Sequence, residues 1–148
     1  MATTCELTLS SDITSSNMNI SASTVLKKAA LNDDLELIEM GKGTIAESDG
    51  SKTAEFGLPT ALGVDKAAKL FFVNKATDPT FYIDIDLHDT NVGRLYAGDW
   101  MFIPYGMNDE ASEFVIEAEP AGAVCPYEFA LFQEPQTLVT HSLSLIHI

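Results

Sequence analysis

The segment Tyr82 to Asp89, YIDIDLHD, alternates apolar and polar residues. In an extended strand this alternation puts Asp84, Asp86 and His88 on one face, because successive side chains point to opposite sides. Carboxylates and an imidazole are metal ligands, so these three residues are candidates for a cation site. At every second position they span about 13 Å, too extended for one small ion unless other strands contribute. The alternatives are a solvated strand face or an acidic patch that forms ion pairs with Lys or Arg of a neighbouring subunit.

A second candidate lies in Leu95 to Asp109, LYAGDWMFIPYGMND. From Gly98 the order is a glycine, five residues, Pro104, one residue, a glycine, two residues and Asp109, which resembles the second cupin motif. That motif continues to a metal-binding histidine where this chain has Asp109, and aspartate is a harder, weaker ligand for transition metals. The resemblance therefore implies the β-strands of the cupin fold without its metal site: two β-strands joined by the turn Gly98 to Asp99. Asp109 remains a candidate metal ligand.

Catalytic motifs are missing from the sequence. It contains no Gly-x-Ser-x-Gly elbow, phosphate-binding loop or His-Glu-x-x-His. Glu117 and Glu119 alternate within FVIEAE and are expected on a strand surface, and few histidines are available for acid–base work. We predict a protein that is not an enzyme and holds no cofactor.

The elements that must position these residues are β-strands. Short alternating runs predict strands over 5–9, 35–40, 70–73, 81–87, 100–105, 114–119 and 127–132. Turn-forming residues separate them, including Asp89 to Gly93, and a spacing of about ten residues suits a sandwich or jelly roll. Ser23 to Leu31 fits a helix or an irregular strand equally well. The predicted fold is all-β, a single antiparallel β-sandwich, jelly-roll-like.

The domain prediction follows from length. The chain has 148 residues, of which 46% are hydrophobic, enough for one core. We expect one domain over 1–142, with the Ser/Thr-rich residues 1–30 forming an edge strand and an N-terminal arm that docks on a neighbour. Leu143 to Ile148, LSLIHI, resembles the translation of a transposon-end adaptor used in sequencing libraries. That resemblance implies that 143–148 are not native and that His147 belongs to no site; the alternative is a genuine short apolar tail.

Charge limits the partners. The formal net charge is −14, which disfavours binding to nucleic acid or to membrane surfaces. Protein, cation or neutral partners remain, although the charge could equally serve solubility alone. Cys5 and Cys125 are too few for a disulfide framework and are expected to be buried thiols, with pairing left open. The first residues lack the features of a secretion signal, so synthesis in a cytoplasm is expected.

Large aromatic residues exceed what one sheet face must bury. Most are expected to fill the two inner faces of a sandwich, and the others to form a subunit contact. Trp100, Tyr105 and Met107 are the predicted interaction residues. If Trp100 or Tyr105 were a flat exposed platform beside Asp99 and Asn108, the chain would instead be a carbohydrate-binding module. The aromatic set is Phe71, Phe72, Trp100, Phe102, Tyr105, Phe129 and Phe132.

The order of segments is similar to that of small all-β virion structural proteins of tailed bacteriophages, particularly those from environmental samples. The parts that carry the resemblance are Leu70 to Lys75, Phe81 to Leu87, Gly93 to Asp99 and Trp100 to Pro104. It implies a component of the capsid surface, neck or tail that forms a homo-oligomer or docks on other virion proteins. It brings no catalytic residues, and places the protein in the virion after synthesis in the host cytoplasm. A carbohydrate-binding module and a degenerate cupin-like protein are the alternatives.

Overall fold

The computed structural model describes residues 4–10, 19–25, 27–28, 33–34, 36–53, 66–87, 89–105 and 114–137. Within these ranges the protein is all-β, as predicted, with a single 3₁₀ turn at Glu47–Asp49. In chain order the strands are β1 (Thr4–Ser10), β2 (Asn19–Val25), β3 (Lys27–Lys28), β4 (Asp33–Asp34), β5 (Glu36–Ala46), β6 (Lys52–Thr53), β7 (Lys66–Asn74), β8 (Tyr82–Leu87), β9 (Thr90–Tyr96), β10 (Trp100–Tyr105), β11 (Phe114–Glu119) and β12 (Val124–Thr137).

Two antiparallel four-stranded sheets form the centre of the protein. Sheet I has the spatial order β10-β7-β12-β5, and sheet II has the order β6-β11-β8-β9. The strands β1 and β2 pair as a separate two-stranded ribbon, and β3 pairs with β4. The described part of Ser23 to Leu31 is therefore extended, so the helical alternative is wrong there.

The inner faces of the two sheets share one hydrophobic core, which gives a sandwich-like arrangement. Phe72 of sheet I and Phe114 of sheet II are both fully buried, and their ring centroids lie 5.6 Å apart. Alternation supplies much of the rest, since every second residue is buried from Ala68 to Asn74 of β7, from Ile83 to Ile85 of β8 and throughout β11. The buried hydrophobic residues are Ile45, Ala68, Leu70, Phe72, Ala76, Ile83, Ile85, Leu95, Phe114, Ile116, Ala118, Ala123, Cys125 and Leu131.

The eight strands of the two sheets pair in a nested order. The first strand of the set, β5, pairs with the last, β12, and β6 pairs with β11. Inside them β7 pairs with β10, and β8 pairs with β9. The eight strands therefore pair as if one long antiparallel hairpin had been folded back on itself. The additional pairs β7 with β12 and β8 with β11 complete sheet I and sheet II.

The connection between β8 and β9 differs from the sequence prediction. The predicted turn from Asp89 to Gly93 is wrong, because β9 already begins at Thr90 and only two residues separate the strands. Asp89 takes a φ of 58°, as the primed turns of tight hairpins require. The register shifts between Ile85 and Asp86, whose partners are Gly93 and Asn91, so β9 contains one extra residue in a bulge. This bulge lies within the sequence that was predicted to be a turn.

The turn at Gly98 and Asp99 connects the two sheets. Gly98 has a φ of 87°, the Asp99 amide donates to the Tyr96 carbonyl at 2.9 Å, and the Tyr96 amide donates to Asp99 Oδ2 at 2.9 Å. The sequence predicted two strands joined by this turn, and both are present. They do not share a sheet, however: β9 belongs to sheet II and β10 to sheet I.

Asn74 is the buried polar residue that holds this crossing in place. Its Nδ2 donates to the Leu95 carbonyl of β9 at 2.8 Å, and its Oδ1 accepts from the Ala76 amide at 2.9 Å. Its main chain is bonded to Gly98 and Asp99 at 2.8 and 3.0 Å. The end of β7 is thereby tied both to sheet II and to the turn that leads into β10.

Candidate functional site

The outer face of sheet I is covered by apolar side chains. The registers arrange it as three rows across the four strands, from β5 through β12 and β7 to β10. The rows are Lys42-Glu128-Val73-Trp100, Met40-Ala130-Phe71-Phe102 and Leu37-Phe132-Lys69-Pro104. Nine of these twelve residues are apolar, and we call those nine the aromatic face: Leu37, Met40, Phe71, Val73, Trp100, Phe102, Pro104, Ala130 and Phe132.

Ring contacts connect the strands of the aromatic face. Trp100 lies 6.1 Å from Phe71, and Phe102 lies 6.4 Å from Phe132, in both cases as tilted pairs. Trp100 remains 46% exposed, Leu37 48% and Met40 68%. The expectation that most of the large aromatics fill the inner faces is therefore wrong for four of them, which share this outer face instead.

A shallow depression of about 380 Å³ lies on the β5 side of the aromatic face. Ala130 forms its floor between Met40 and Phe71, because its small side chain leaves space between two large neighbours on adjacent strands. Lys42 and Glu128 stand opposite each other at its rim. The depression can take an apolar side chain of a partner.

The outer face of sheet II carries acidic residues beside a tyrosine pair, Tyr82 and the exposed Tyr96, whose ring centroids lie 5.2 Å apart. Asp84 and Asp86 lie there on β8, with Glu117 directly opposite Asp84 on β11. Arg94 of β9 forms an ion pair with Asp84, with Nε 3.5 Å from Oδ1. Its Cζ atom lies 4.3 Å from the centroid of the Tyr82 ring. We call Asp84, Asp86, Glu117 and Glu119 the acidic face.

The Asp84 carboxyl has a raised pKa. Loss of hydration on partial burial is the main cause, and the like charges of Asp86 and Glu117 act in the same direction. Arg94 acts against them and lowers the pKa. The structure therefore brings Asp84 and Asp86 beside a third and a fourth carboxylate that sequence spacing alone did not place there.

Among the described residues, no group of three or more His, Cys, Asp or Glu side chains is arranged so that it could hold a metal ion. Two of the four metal candidates, His88 and Asp109, lie outside the described residues. The other two, Asp84 and Asp86, lie on the acidic face among the groups already named. The described geometry thus contains carboxylates on an open sheet face rather than ligands converging on a point.

The predicted interaction residues have different outcomes. Trp100 lies on the aromatic face, half exposed. The backbone of Tyr105 pairs with Ala68, but its side chain lies outside the described residues, as do Met107 and the proposed sugar-binding partner Asn108. The Asp99 carboxylate beside Trp100 already accepts the Tyr96 amide.

Two titratable groups face the core. Burial raises the pKa of the Cys125 thiol, while a hydrogen bond with Asn74 lowers it. Cys125 is buried and free, as expected for one of the two cysteines, and the side chain of Cys5 lies outside the described residues. Burial also raises the pKa of Tyr127. Both groups are neutral near pH 7 and serve packing.

Sequence reasoning missed Met40, Leu37 and the outer position of Phe71. One signal could have found the last of them: Leu70 to Val73 is an unbroken apolar run, which is typical of a strand covered on both faces. Met40 and Leu37 belong to ELIEMGKG, where a bulge opposite Leu131 and Phe132 breaks the alternation and hides the outer face.

Comparison with known proteins adds no relative to these observations. No protein-family model, curated protein or solved structure matches the chain. Among the residues that the structure describes, no helix has the length and apolar character needed to span a membrane.

Proposed function

We propose that this chain is a non-enzymatic virion structural protein of a tailed bacteriophage, a jelly-roll subunit that assembles through its aromatic face. It acts by self-association or by docking on other virion proteins, at the capsid surface, neck or tail. The observation that carries the assembly role is the aromatic face itself, an apolar outer surface on one sheet of a strongly acidic protein. The phage assignment rests on the order of segments in the sequence.

The nested strand order supports the jelly-roll part of the proposal. Eight strands that pair first with last, second with seventh, third with sixth and fourth with fifth divide into two four-stranded sheets, as β5 to β12 do. Jelly rolls occur in viral capsid proteins, lectins and cupins alike. The fold is thus compatible with the proposed role, and the choice among roles depends on the surface.

The size of the aromatic face supports an assembly role. Four strands about 4.8 Å apart and three rows about 7 Å apart cover roughly 400 Å², a footprint that also includes Lys42, Lys69 and Glu128. The largest apolar patch on a soluble monomer is typically about 300 to 600 Å² and is often functional, so the aromatic face has the size of a functional patch. Two such faces are smaller than a standard stable interface of about 1,600 Å², so the contact should gain strength from symmetric repetition or from an added segment.

The experiment is light scattering after size exclusion over a wide range of protein concentration. We expect a discrete oligomer for the wild type, a monomer for Met40→Asp on the aromatic face, and an unchanged oligomer for Val92→Asp. Val92 is the matched control because it is 55% exposed on β9 of sheet II. A wild-type monomer at every concentration would contradict self-association. An oligomer unaffected by Met40→Asp would show that self-association does not use the aromatic face.

Trp100 supports a second candidate function, carbohydrate binding. An indole that is 46% exposed can stack on a sugar ring, and the Asp99 carboxylate is adjacent in sequence. A glycan array separates the two roles: binding that is lost in Trp100→Ala and kept in Met40→Asp would favour the carbohydrate-binding module.

A further inference from the structure

The ribbon formed by β1 and β2 has one apolar and one polar row of residue types. Its antiparallel register places alternate cross-strand pairs on the same face. The polar row contains Glu6, which is exposed, and consists of pairs such as Glu6 with Ser23 and Thr8 with Ser21. The apolar row consists of Cys5 with Thr24, Leu7 with Ala22 and Leu9 with Ile20.

Such a ribbon needs a surface to cover its apolar row. Two strands alone are at best marginally stable in water. The inner faces of sheets I and II are already occupied by each other. Of the exposed large hydrophobic residues that the structure describes, Leu37, Met40 and Trp100 lie on the aromatic face with the chain's own ribbon present, whereas Val92 and Tyr96 lie on β9 and Val124 begins β12. The aromatic face is the apolar surface that continues across all four strands of a sheet.

We propose that the aromatic face of one copy binds the apolar row of the β1–β2 ribbon of a second copy. This inference rests on the proposed assembly role and names the partner of that surface. The ribbon is then the added segment that enlarges the contact, and each copy supplies one ribbon and one face, which suits a closed symmetric oligomer.

The dimensions of the two surfaces agree. The three pairs of the apolar row, of which the first contains Thr24, are spaced by two residues, so they extend over about 14 Å. The four strands of sheet I, spaced by about 4.8 Å, also extend over about 14 Å between β5 and β10. A ribbon lying across the strands therefore places one apolar pair over each successive part of the face.

Charge favours this contact over others between copies. With a net charge of −14, most surfaces of two copies repel each other. The apolar row of the ribbon contains no acidic residue, and Glu6 belongs to the opposite row. The outer face of sheet I carries two lysines, Lys42 and Lys69, and two glutamates, Glu128 opposite Lys42 and Glu134 at 2.9 Å from Lys69, so its charges balance. Ribbon and face can therefore approach without setting carboxylates against carboxylates.

The chain path brings the ribbon to the border of the aromatic face. Lys27 pairs with Asp34, so the short β3–β4 pair returns the chain close to the end of β2. The strand β5 begins at Glu36, two residues after β4, and reaches Leu37 in the third row of sheet I. The end of β2 at Val25 is thus joined to Leu37 of the aromatic face by the eleven residues between them, a link that permits two copies to exchange ribbons.

The experiment uses full-length chains with one substitution each. Met40→Asp alters the face and Leu7→Asp alters the ribbon, while Val92→Asp on sheet II and Thr8→Asp on the polar row are their matched controls. By light scattering we expect the wild type and both controls to form the same oligomer. Each of the two test variants should weaken association at least tenfold. A milder variant, Ile20→Ser, should act like Leu7→Asp, and circular dichroism checks that every variant keeps its strands.

Mixing gives the decisive measurement. Met40→Asp retains an intact ribbon and Leu7→Asp an intact face, so an equal mixture of the two should form a mixed pair that neither forms alone. Two monomeric variants that fail to associate on mixing would overturn the inference, as would a monomeric wild type. If Met40→Asp abolishes the oligomer while Leu7→Asp and Ile20→Ser do not, the aromatic face remains the assembly surface and the ribbon is excluded as its partner. An oligomer that survives all three substitutions overturns both proposals.

Discussion

Asn74 shows how one buried polar side chain can decide a connection between sheets. It is fully buried, and both ends of its amide are hydrogen-bonded, one of them to the opposite sheet. A buried amide that keeps its partners stabilises one arrangement of strands, since any slip of β9 or of the following turn would leave it unsatisfied.

Asn74→Ala should lower the free energy of unfolding by roughly 2 to 4 kcal/mol, because it leaves the buried Leu95 carbonyl and Ala76 amide without their partners. Urea denaturation measures this. Asn91→Ala is the control, since Asn91 is exposed and bonds Asp86 at the surface. Equal losses for the two variants would show that the crossing does not depend on Asn74.

Asp84 provides a prediction about pH. Its folded-state pKa is raised, so between the ordinary and the raised pKa the folded state binds more protons than the unfolded state. Stability therefore falls as pH rises through that window, and the full cost is present at neutral pH. The stability of Asp84→Asn relative to wild type should increase from pH 3 to pH 7.

Carboxyl NMR titration can separate the causes of this shift. Glu117→Gln removes a like charge and should lower the pKa of Asp84, whereas Arg94→Met removes the opposing cation and should raise it further. Shifts of the same sign in both variants would contradict the described arrangement of the acidic face.

At the scale of elements, the glycines of β5 are explained by their neighbours on β12. A Cβ atom added to Gly43 would lie 2.6 Å from the Tyr127 hydroxyl, and one added to Gly41 would lie 3.2 Å from the Phe129 ring. The Tyr127 ring cannot easily retreat, because it stacks on Phe72 with centroids 5.1 Å apart. The two rings therefore cover the backbone of this edge strand.

Gly43→Ala should cost roughly 1 to 3 kcal/mol of stability, since it overpacks a fixed ring. Gly41→Ala should cost less, because the approach to Phe129 is looser. Thermal or urea unfolding measures both. In a double-mutant cycle, Tyr127→Leu should relieve part of the Gly43→Ala cost. Strictly additive losses would mean that the ring does not restrict this position.

Strand positions were largely predictable, and strand partners were not. The bounds of β10 and β11 agree with the alternating runs Trp100 to Tyr105 and Phe114 to Glu119. Period-two alternation is a local property, so it survives without knowledge of the fold. Partners such as β5 and β12 lie at opposite ends of the sheet-forming sequence, and nothing local specifies their pairing.

At the scale of the whole molecule, the outer faces of the two sheets differ in the residues they expose. The acidic face carries four carboxylates, and the aromatic face carries Leu37, Met40 and Trp100, three of the exposed large hydrophobic residues. Under the proposed function, the acidic face keeps one sheet hydrated while the aromatic face of the other makes the contact between proteins.

Self-association through the aromatic face should strengthen with salt. Two copies of charge −14 repel each other, and raising the ionic strength from 0.1 to 0.5 M shortens the screening length from about 10 Å to roughly 4 Å. Sedimentation equilibrium measures the association constant. If association instead weakened with salt, the contact would be an ionic one, such as Lys or Arg of a neighbour on Asp84 and Asp86.

The sequence by itself determined the all-β class, the alternation of β8 and β11, the strand and turn from Gly98 to Tyr105, and the acidic character of the protein. Each of these depends on composition or on near neighbours along the chain. The tertiary structure alone decided that Phe71, Trp100, Phe102 and Phe132 share an outer face, that Glu117 stands opposite Asp84, and that Asn74 links the sheets. These depend on cross-strand register and on which face of a strand is covered, and a strand that is apolar on both faces leaves that choice to long-range packing.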